Sequence, residues 1–294
     1  MKKRKIINYK SFIHLFFIIY SLLCIVPFWL IVSISLSKES DIMVKGFSII
    51  PENFTTEAYS YVFNDASTLW QAYIVTAIYA VLGTIISVVV MAMFGYALSR
   101  QHYVLKKFLI FYTLITMLFN GGLVPSYVIN TQIFGLQNNI AIYLVTGMVT
   151  GYTVFVFRTF FAQIPTSLIE AASIDGAKEL QILTKIIVPL SKPVLATFTF
   201  TGVVQRWNDF ETSMYYIQDQ KLYTLQYLLQ NILNEAAFLN QLKNQLSAFS
   251  DMIVVPSETL KYAMCVLAAG PMVIIFPLFQ KYFSKGMVVG AVKG

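Results

Sequence analysis

Long apolar segments alternate with short polar segments along the chain. A membrane-spanning helix needs roughly 20 apolar residues, and the pattern predicts six spans, at residues 12–36, 70–98, 108–130, 139–158, 193–216 and 260–280. The second span is the clearest, because it carries no charged residue. Residues 108–157 also lack charges, and polar residues around Gln137 divide them into two spans. The predicted fold class is therefore all-α, a polytopic membrane bundle of six transmembrane helices.

Composition supports a membrane location. Hydrophobic residues make up 57% of the chain and charged residues 12%, with a mean hydropathy of +0.67. Soluble proteins carry about 25% charged residues. The first apolar stretch, Phe12 to Leu36, follows a basic segment as in a secretory signal, but it is too long and lacks an Ala-x-Ala site. We expect it to be an uncleaved anchor.

The distribution of charge predicts the orientation. With the N-terminus inside, the inner segments contain fifteen of the 21 basic residues and only Glu170, Asp175 and Glu179 of the 14 acidic ones. An excess of Lys and Arg marks cytoplasmic loops. We therefore predict a cytoplasmic N-terminal segment (1–11), a six-span transmembrane domain (12–280) with a cytoplasmic loop (159–192), and a cytoplasmic tail (281–294). The net charge of +7 is then explained by the basic residues of the cytoplasmic segments. These residues are spread over four membrane-proximal segments, so they do not favour nucleic-acid binding.

The loop at 159–192 is a polar island that contains the sequence EAASIDGAKELQILTKIIVPLSK. Ser167 and Glu170 have the spacing of a capping box, which predicts a helix start. Gly176 suits a turn with positive φ between two short helices. An apolar stripe of Leu180, Leu183 and Ile187 is expected on the second helix. The pattern predicts a projecting knob that docks against another protein surface. The alternative is a solvated hairpin that contacts nothing.

This segment resembles the Glu-Ala-Ala coupling loop of binding-protein-dependent ABC importer permeases. The positions that match the family pattern are Glu170, Ala171, Ala172, Asp175, Gly176, Ala177, Ile186 and Pro189. The resemblance implies the MetI-like permease fold. It also implies that the loop docks into a cleft on an ATPase subunit, which binds the ATP and Mg; this chain is expected to bind no cofactor.

Two further segments are similar to the carbohydrate-uptake branch of that family, in particular to its MalG-like subunits. One is Trp207-Asn208-Asp209-Phe210, and the other is the C-terminal segment from Phe279 onward. The resemblance implies contacts between the tail and the ATPase through Gly290, Lys293 and Gly294. It further implies a second, different permease subunit, an ABC ATPase dimer and an extracytoplasmic solute-binding protein as partners, in a cell membrane whose lipid surrounds the spans.

The sequence gives little support for ATP binding by this chain or for coupling to an ion gradient as the source of transport energy. No Gly-Lys dipeptide occurs, so the chain lacks a Walker A phosphate loop. Five of the six predicted spans have no Asp, Glu, Lys or Arg in their cores, which disfavours an ion-coupled carrier. His14 and His102 lack neighbours at metal-ligand spacing, and no catalytic constellation occurs at membrane depth. We expect a non-catalytic transport subunit.

Two polar interruptions of the spans are candidates for the substrate path. The fifth span contains Gln205 to Glu211, in which Arg206 and Asp209 are spaced to pair on one helical face. Asn208 and Asp209 either line a hydrated path or belong to an interfacial belt of aromatic residues. Asn120, Gly121 and Gly122 break the third span, either to line water or to kink the helix for packing.

The function predicted from these features is a permease subunit of an ATP-driven ABC importer, which forms half of the translocation path for a sugar or an oligosaccharide. Two alternatives remain: an ATP-independent channel or scaffold subunit, and an ABC permease for a solute other than a sugar.

Overall fold

The computed structural model describes residues 9–101, 103–245 and 258–291, and this part of the chain is folded almost entirely as helices. The helices are α1 (Tyr9–Ser35), α2 (Glu39–Lys45), α3 (Glu57–Val62), α4 (Ala66–Ile78), α5 (Thr84–Ser99), α6 (Lys106–Leu118), α7 (Leu123–Val128), α8 (Ile142–Val145), α9 (Gly151–Ala162), α10 (Thr166–Ile174), α11 (Glu179–Ile182), α12 (Val188–Leu190), α13 (Lys192–Trp207), α14 (Glu211–Tyr216), α15 (Leu225–Gln245) and α16 (Glu258–Ala291). The all-α prediction is confirmed for these residues.

Three stretches of helix are long and apolar enough to cross a membrane: Phe12–Ser35, Ala66–Ser99 and Glu258–Pro277. The second joins α4 to α5 through a π-helical turn, Tyr79–Gly83. Two bent helix pairs bring the number of candidate spans to five, and the count of six stays a prediction.

The two bends lie near polar or proline-containing breaks. α6 and the helical segment Leu123–Ile133 meet at 116°, with Asn120 and the two following glycines between them. The segment Glu179–Leu190 meets α13 at 85°. The predicted fourth span is not one helix either, because residues 146–150 separate α8 from α9 and Gly147 has a φ of +64°.

Contacts divide the chain into two compact units. The first contains residues 1–66 and 229–271. In it, the Glu39 carboxylate accepts hydrogen bonds from the backbone N–H groups of Glu258 and Thr259, both at 2.9 Å. Glu39 therefore caps the first turn of α16, where the helix dipole favours negative charge.

The second unit contains residues 67–228 and 272–294. Its main described helix pair is α5 and α9. A Cβ atom built on Gly95 of α5 would lie 2.8 Å from Phe157 Cβ and 3.1 Å from the Arg158 backbone nitrogen of α9. The absence of a side chain at Gly95 therefore permits the close approach. Phe157 and Phe161 are completely buried in the resulting core.

The close approach at Gly95 gives a stability prediction. Gly95→Ala is expected to destabilise the protein by about 1–3 kcal/mol, because the added methyl group overpacks against a backbone that cannot move aside. This cost exceeds the gain of about 1 kcal/mol that Ala brings over Gly inside a helix. Thermal unfolding of the purified variants measures the difference.

Gly121→Ala is the control, because a Cβ atom there meets nothing nearer than Pro125 Cβ at 3.8 Å, an ordinary contact. It should unfold at the wild-type temperature or above. Equal unfolding temperatures for the two variants would contradict the packing account.

Candidate functional site

The Glu-Ala-Ala segment forms a short exposed helix that ends at a glycine turn. α10 ends in a Schellman motif: the Ala177 N–H donates to the Ala172 carbonyl at 2.9 Å, and the Gly176 N–H donates to the Ser173 carbonyl at 3.1 Å. Gly176 has a φ of +81°, which side chains other than glycine rarely adopt. The predicted glycine turn is confirmed, and the motif spacing follows from this helix end.

The start of α10 differs from the prediction. The helix begins at Thr166, Pro165 occupies the N-cap position, and no side chain caps the end. The capping box predicted from Ser167 and Glu170 is therefore wrong, because Ser167 already lies inside the first turn. A side chain caps the next helix, α11, instead: the side-chain Oε1 of Gln181 accepts a hydrogen bond from the Lys178 backbone N–H at 2.9 Å.

Most residues of the matched motif are accessible. Glu170, Ala171, Asp175, Gly176 and Pro189 are exposed, whereas Ala172, Ala177 and Ile186 are half-buried against the core around Phe157. Three large apolar side chains are also exposed beside the motif: Leu168 at 46%, Ile174 at 86% and Leu180 at 62%. The segment 166–182, which we call the knob, thus presents an apolar and acidic surface. Exposed apolar residues at such a point are typical of a protein interface.

The base of the knob is anchored in the core. A π-helical turn, Leu183–Ile187, follows α11, and its i→i+5 geometry brings Ile182 and Ile187 onto one buried face. Leu180 points elsewhere, so its predicted membership of the apolar stripe is wrong, although Leu183 and Ile187 are buried as expected. The Tyr96 hydroxyl of α5 donates to the Glu179 carboxylate. The anchor therefore joins the knob to the long helix Ala66–Ser99.

A cavity of about 670 Å³ lies at the breaks in the third and fifth predicted spans. Four of the five residues predicted for the substrate path line it: Asn120, Gly122, Asn208 and Asp209. Gly121 does not. The cavity is also lined by Tyr79 of the π-helical turn and by Thr146 and Gly147, so it is built from four segments distant in sequence. Its volume falls in the range of small-molecule sites, about 300–1,000 Å³.

Asp209 is held by hydroxyl groups. Its carboxylate accepts from the Tyr79 hydroxyl at 2.8 Å, from the Thr212 hydroxyl at 2.6 Å and from the Thr212 N–H at 3.1 Å. The described contacts contain no ion pair between Arg206 and Asp209, so the predicted pairing is wrong. α13 ends at Trp207, and the spacing of three residues therefore no longer places both side chains on one helical face.

The C-terminal contacts implied by the resemblance are only partly within the described structure. Gly290 lies in the last turns of α16. Lys293 and Gly294 lie outside the described residues.

Sequence reasoning missed several residues that shape these sites. Tyr79 and Tyr143 were counted as parts of apolar spans, yet their hydroxyls bond to Asp209 and to Ser213. Tyr96 was missed for the same reason. The available signal was the tyrosine itself, because a buried tyrosine hydroxyl needs a partner.

Long apolar helices, an exposed polar knob and a cavity at broken helices define a multi-pass membrane transport subunit. The chain matches the family described as the binding-protein-dependent transport system inner membrane component over residues 9–289, and it belongs to that family. Such a component is non-catalytic and works with an ATPase and a solute-binding protein.

Named relatives agree with this class. The chain is 31% identical to the polygalacturonan/rhamnogalacturonan transport system permease protein YtcP of Bacillus subtilis, covering 95% of this chain and 96% of that one. It is also 31% identical to the melibiose/raffinose/stachyose import permease protein MelC of the same species, covering 92% and 91%. A crystal structure of a bacterial ABC transporter involved in the import of the acidic polysaccharide alginate contains a similar chain. The TM-score is 0.78 at 28% identity, with 96% of this chain and 99% of that chain covered.

The Asp209 contacts predict a stability effect. Asp209→Leu leaves the buried Tyr79 hydroxyl and the Thr212 hydroxyl without their acceptor, which costs about 1–3 kcal/mol for each group left unsatisfied. We expect a lower unfolding temperature in detergent. Tyr79→Phe in the same chain should recover part of the loss, because it removes one of the orphaned donors.

Asn208→Leu is the control, since Asn208 is exposed and its side-chain bonds, to the Val204 carbonyl and to Gln226, lie at the surface. Its effect should stay within about 0.5 kcal/mol. An Asp209→Leu protein as stable as the wild type would show that the hydroxyl contacts do not hold this break together.

Proposed function

We propose that this chain forms half of the translocation path of an ATP-driven importer for a sugar or an oligosaccharide, and that the knob couples it to the partner ATPase. The observation that carries the proposal is the construction of the knob. Its tip exposes the Glu-Ala-Ala motif and Ile174, while its base is fixed to the core that contains α5. A rigid projection of this kind suits the transmission of a movement.

Energy for transport would come from the partner. In this proposal ATP and Mg bind the ATPase and not this chain, whose sequence lacks a phosphate-binding loop. Closure of an ATPase dimer around ATP would displace the knob, and the span bundle would open to the other side.

The path itself is assigned to the cavity at Asn120, Gly122, Asn208 and Asp209. Polar side chains and irregular backbone are tolerated at membrane depth where they line water or are packed in protein. A second, different permease subunit would supply the other wall. The sugar class is supported by the carbohydrate named in each of the relatives, which transport saccharides of several kinds.

Six spans with both termini in the cytoplasm complete the arrangement. The loop 159–192 and the tail 281–294 would then lie on the ATPase side, as the excess of basic residues predicts. The tail contacts of Gly290, Lys293 and Gly294 with the ATPase belong to the same proposal.

The knob gives a test of coupling. Ile174→Asp places a charge on an apolar contact, and Gly176→Leu forces a side chain into the left-handed turn that shapes the knob. Each is expected to lower sugar uptake at least tenfold, a cost of about 1.4 kcal/mol at the interface. Each should also reduce the amount of ATPase that copurifies with the permease, at unchanged abundance of the permease in the membrane.

Val44→Asp is the matched control, because Val44 is 82% exposed and lies in α2, on the predicted opposite side of the membrane. It should retain the ATPase. Normal uptake and normal ATPase retention in Ile174→Asp would contradict coupling through the knob. Uptake that persists without the ATPase would instead favour an ATP-independent channel.

Orientation can be tested by labelling in a chain freed of Cys24 and Cys265, both of which are exposed. Ser173→Cys, in the knob, is expected to react only with reagents that enter the cytoplasm. Asn53→Cys is expected to react from outside intact cells. Both positions are exposed, so burial does not explain a difference in labelling. The reverse pattern would place the knob outside and would remove the basis for ATPase coupling.

A further inference from the structure

Arg206 occupies a position that the proposed path does not by itself explain. It lies in the last turn of α13 and is only 7% exposed. Its side chain lines the 670 Å³ cavity and also a second cavity of about 360 Å³. Among the described residues only Gly147 and Gln205 also line both cavities, so Arg206 lies where the two adjoin.

The guanidinium of Arg206 has donors without acceptors. Its Nε atom is buried and has no hydrogen-bond partner, and one terminal nitrogen makes only a long contact of 3.5 Å with the Gly202 carbonyl. Among the described residues no carboxylate lies within 4.0 Å of it. The Tyr79 ring, 5.9 Å away, contributes a weak cation–π contact.

The two acidic residues that line the larger cavity make no ion pair with Arg206 in the described structure, although the Asp209 carboxylate attracts its charge from a greater distance. Both carboxylate oxygens of Asp209 already accept from Tyr79 or Thr212. Glu211 is exposed, and water screens its charge. Among the residues that the structure describes, no carboxylate therefore contacts the guanidinium of Arg206 directly.

Two glycines leave room for the guanidinium. A Cβ atom on Gly83 would lie 2.8 Å from Arg206 Nε, and one on Gly202 would lie 3.4 Å from a terminal nitrogen. The Nε side of the guanidinium is thus packed against the protein, and the terminal nitrogens are the donors left for a ligand in the cavities that Arg206 lines. A buried cation without a partner is costly, whereas a paired and hydrogen-bonded one is tolerated.

We propose that Arg206 binds the carboxylate of an acidic sugar, so that the substrate class is oligosaccharides containing uronic acid. This inference rests on the proposed function and names the substrate of the same cavity. A guanidinium holds a carboxylate through two parallel, charge-assisted hydrogen bonds. A neutral sugar offers hydroxyl acceptors but leaves the buried guanidinium without a hydrogen-bonded carboxylate. The 670 Å³ cavity accommodates a few sugar rings, and Arg206 binds the carboxylate of one of them.

The proposal is tested by measuring binding to the permease directly. In an uptake assay the solute-binding protein also selects the sugar and would mask the preference of the permease itself. The complete complex of permeases and ATPase is reconstituted in nanodiscs without the binding protein. Binding of trigalacturonate and trimannuronate is measured at equilibrium, each against its carboxyl-reduced, neutral counterpart. The wild-type complex is expected to bind at least one acid about tenfold more tightly than its neutral form, a difference of about 1.4 kcal/mol.

Arg206→Gln should abolish that preference. Its affinity for the acidic sugar should fall about tenfold, and its affinity for the neutral sugar should stay within about twofold of the wild-type value. Arg206→Lys should keep part of the preference, because it restores the charge but not the planar fork. Gln205→Ala is the matched control: Gln205 lines the same two cavities without a charge, so the variant should change both affinities by the same factor.

Equal binding of acid and neutral forms by the wild type, or no binding of either acid, would overturn the proposal. So would a preference that survives Arg206→Gln. Loss of the second permease from the Arg206→Gln complex would assign Arg206 to an ion pair with that subunit and would also overturn it. These readouts need no ATP hydrolysis, so a failure of knob coupling, seen with Ile174→Asp, is distinguished from a failure of carboxylate recognition.

Discussion

Hydrogen bonding around Asp209 is the constraint on which the second unit depends. Helices that break at membrane depth must satisfy their polar groups within the protein, because lipid offers no partners. Here the carboxylate binds Tyr79 and Thr212, and the Asp209 carbonyl accepts from the Thr224 hydroxyl at 3.0 Å. The Thr224 hydroxyl is also hydrogen-bonded to the Ser213 hydroxyl at 2.8 Å, which in turn bonds to the Tyr143 hydroxyl at 2.7 Å. The network ties the break between α13 and α14 to segments far away in sequence.

The same break creates the cavity. Because α13 stops at Trp207, Asn208 and Asp209 leave the helical ladder, and the adjoining space opens toward the Asn120 break in the third predicted span. The Asp209 carboxylate is hydrogen-bonded within this break, whereas the Nε atom of Arg206, one turn earlier, is buried without a hydrogen-bond partner. Two neighbouring charges of opposite sign thus have different surroundings: Asp209 is hydrogen-bonded within the break, and Arg206 is the group to which we assign the ligand.

Local features of these sites could be predicted from the sequence, and distant contacts could not. Gly176 has the positive φ that its place in the motif indicates, and the Asn120 break is visible as an interruption of an apolar run. The Tyr79–Asp209 contact joins residues 130 positions apart, and no local pattern encodes it. Leu180 was misassigned because a regular helical period does not anticipate a π-helical turn. Arg206 and Asp209 appeared paired for a similar reason, since their spacing assumes that α13 continues.

One helix contacts both candidate sites. Tyr96, near one end of Ala66–Ser99, holds Glu179 at the base of the knob, and Tyr79, seventeen residues earlier, holds Asp209 at the cavity. At 1.5 Å per residue this separation is about 25 Å. Close-packed interiors transmit strain and do not deform continuously, and α5 is packed against α9 at Gly95 without slack. A displacement of the knob would therefore be expected to move α5 as a body. The π-helical turn at Tyr79–Gly83, directly beside the cavity, is the place in this helix where the hydrogen-bond ladder is already irregular and where such a movement could be absorbed.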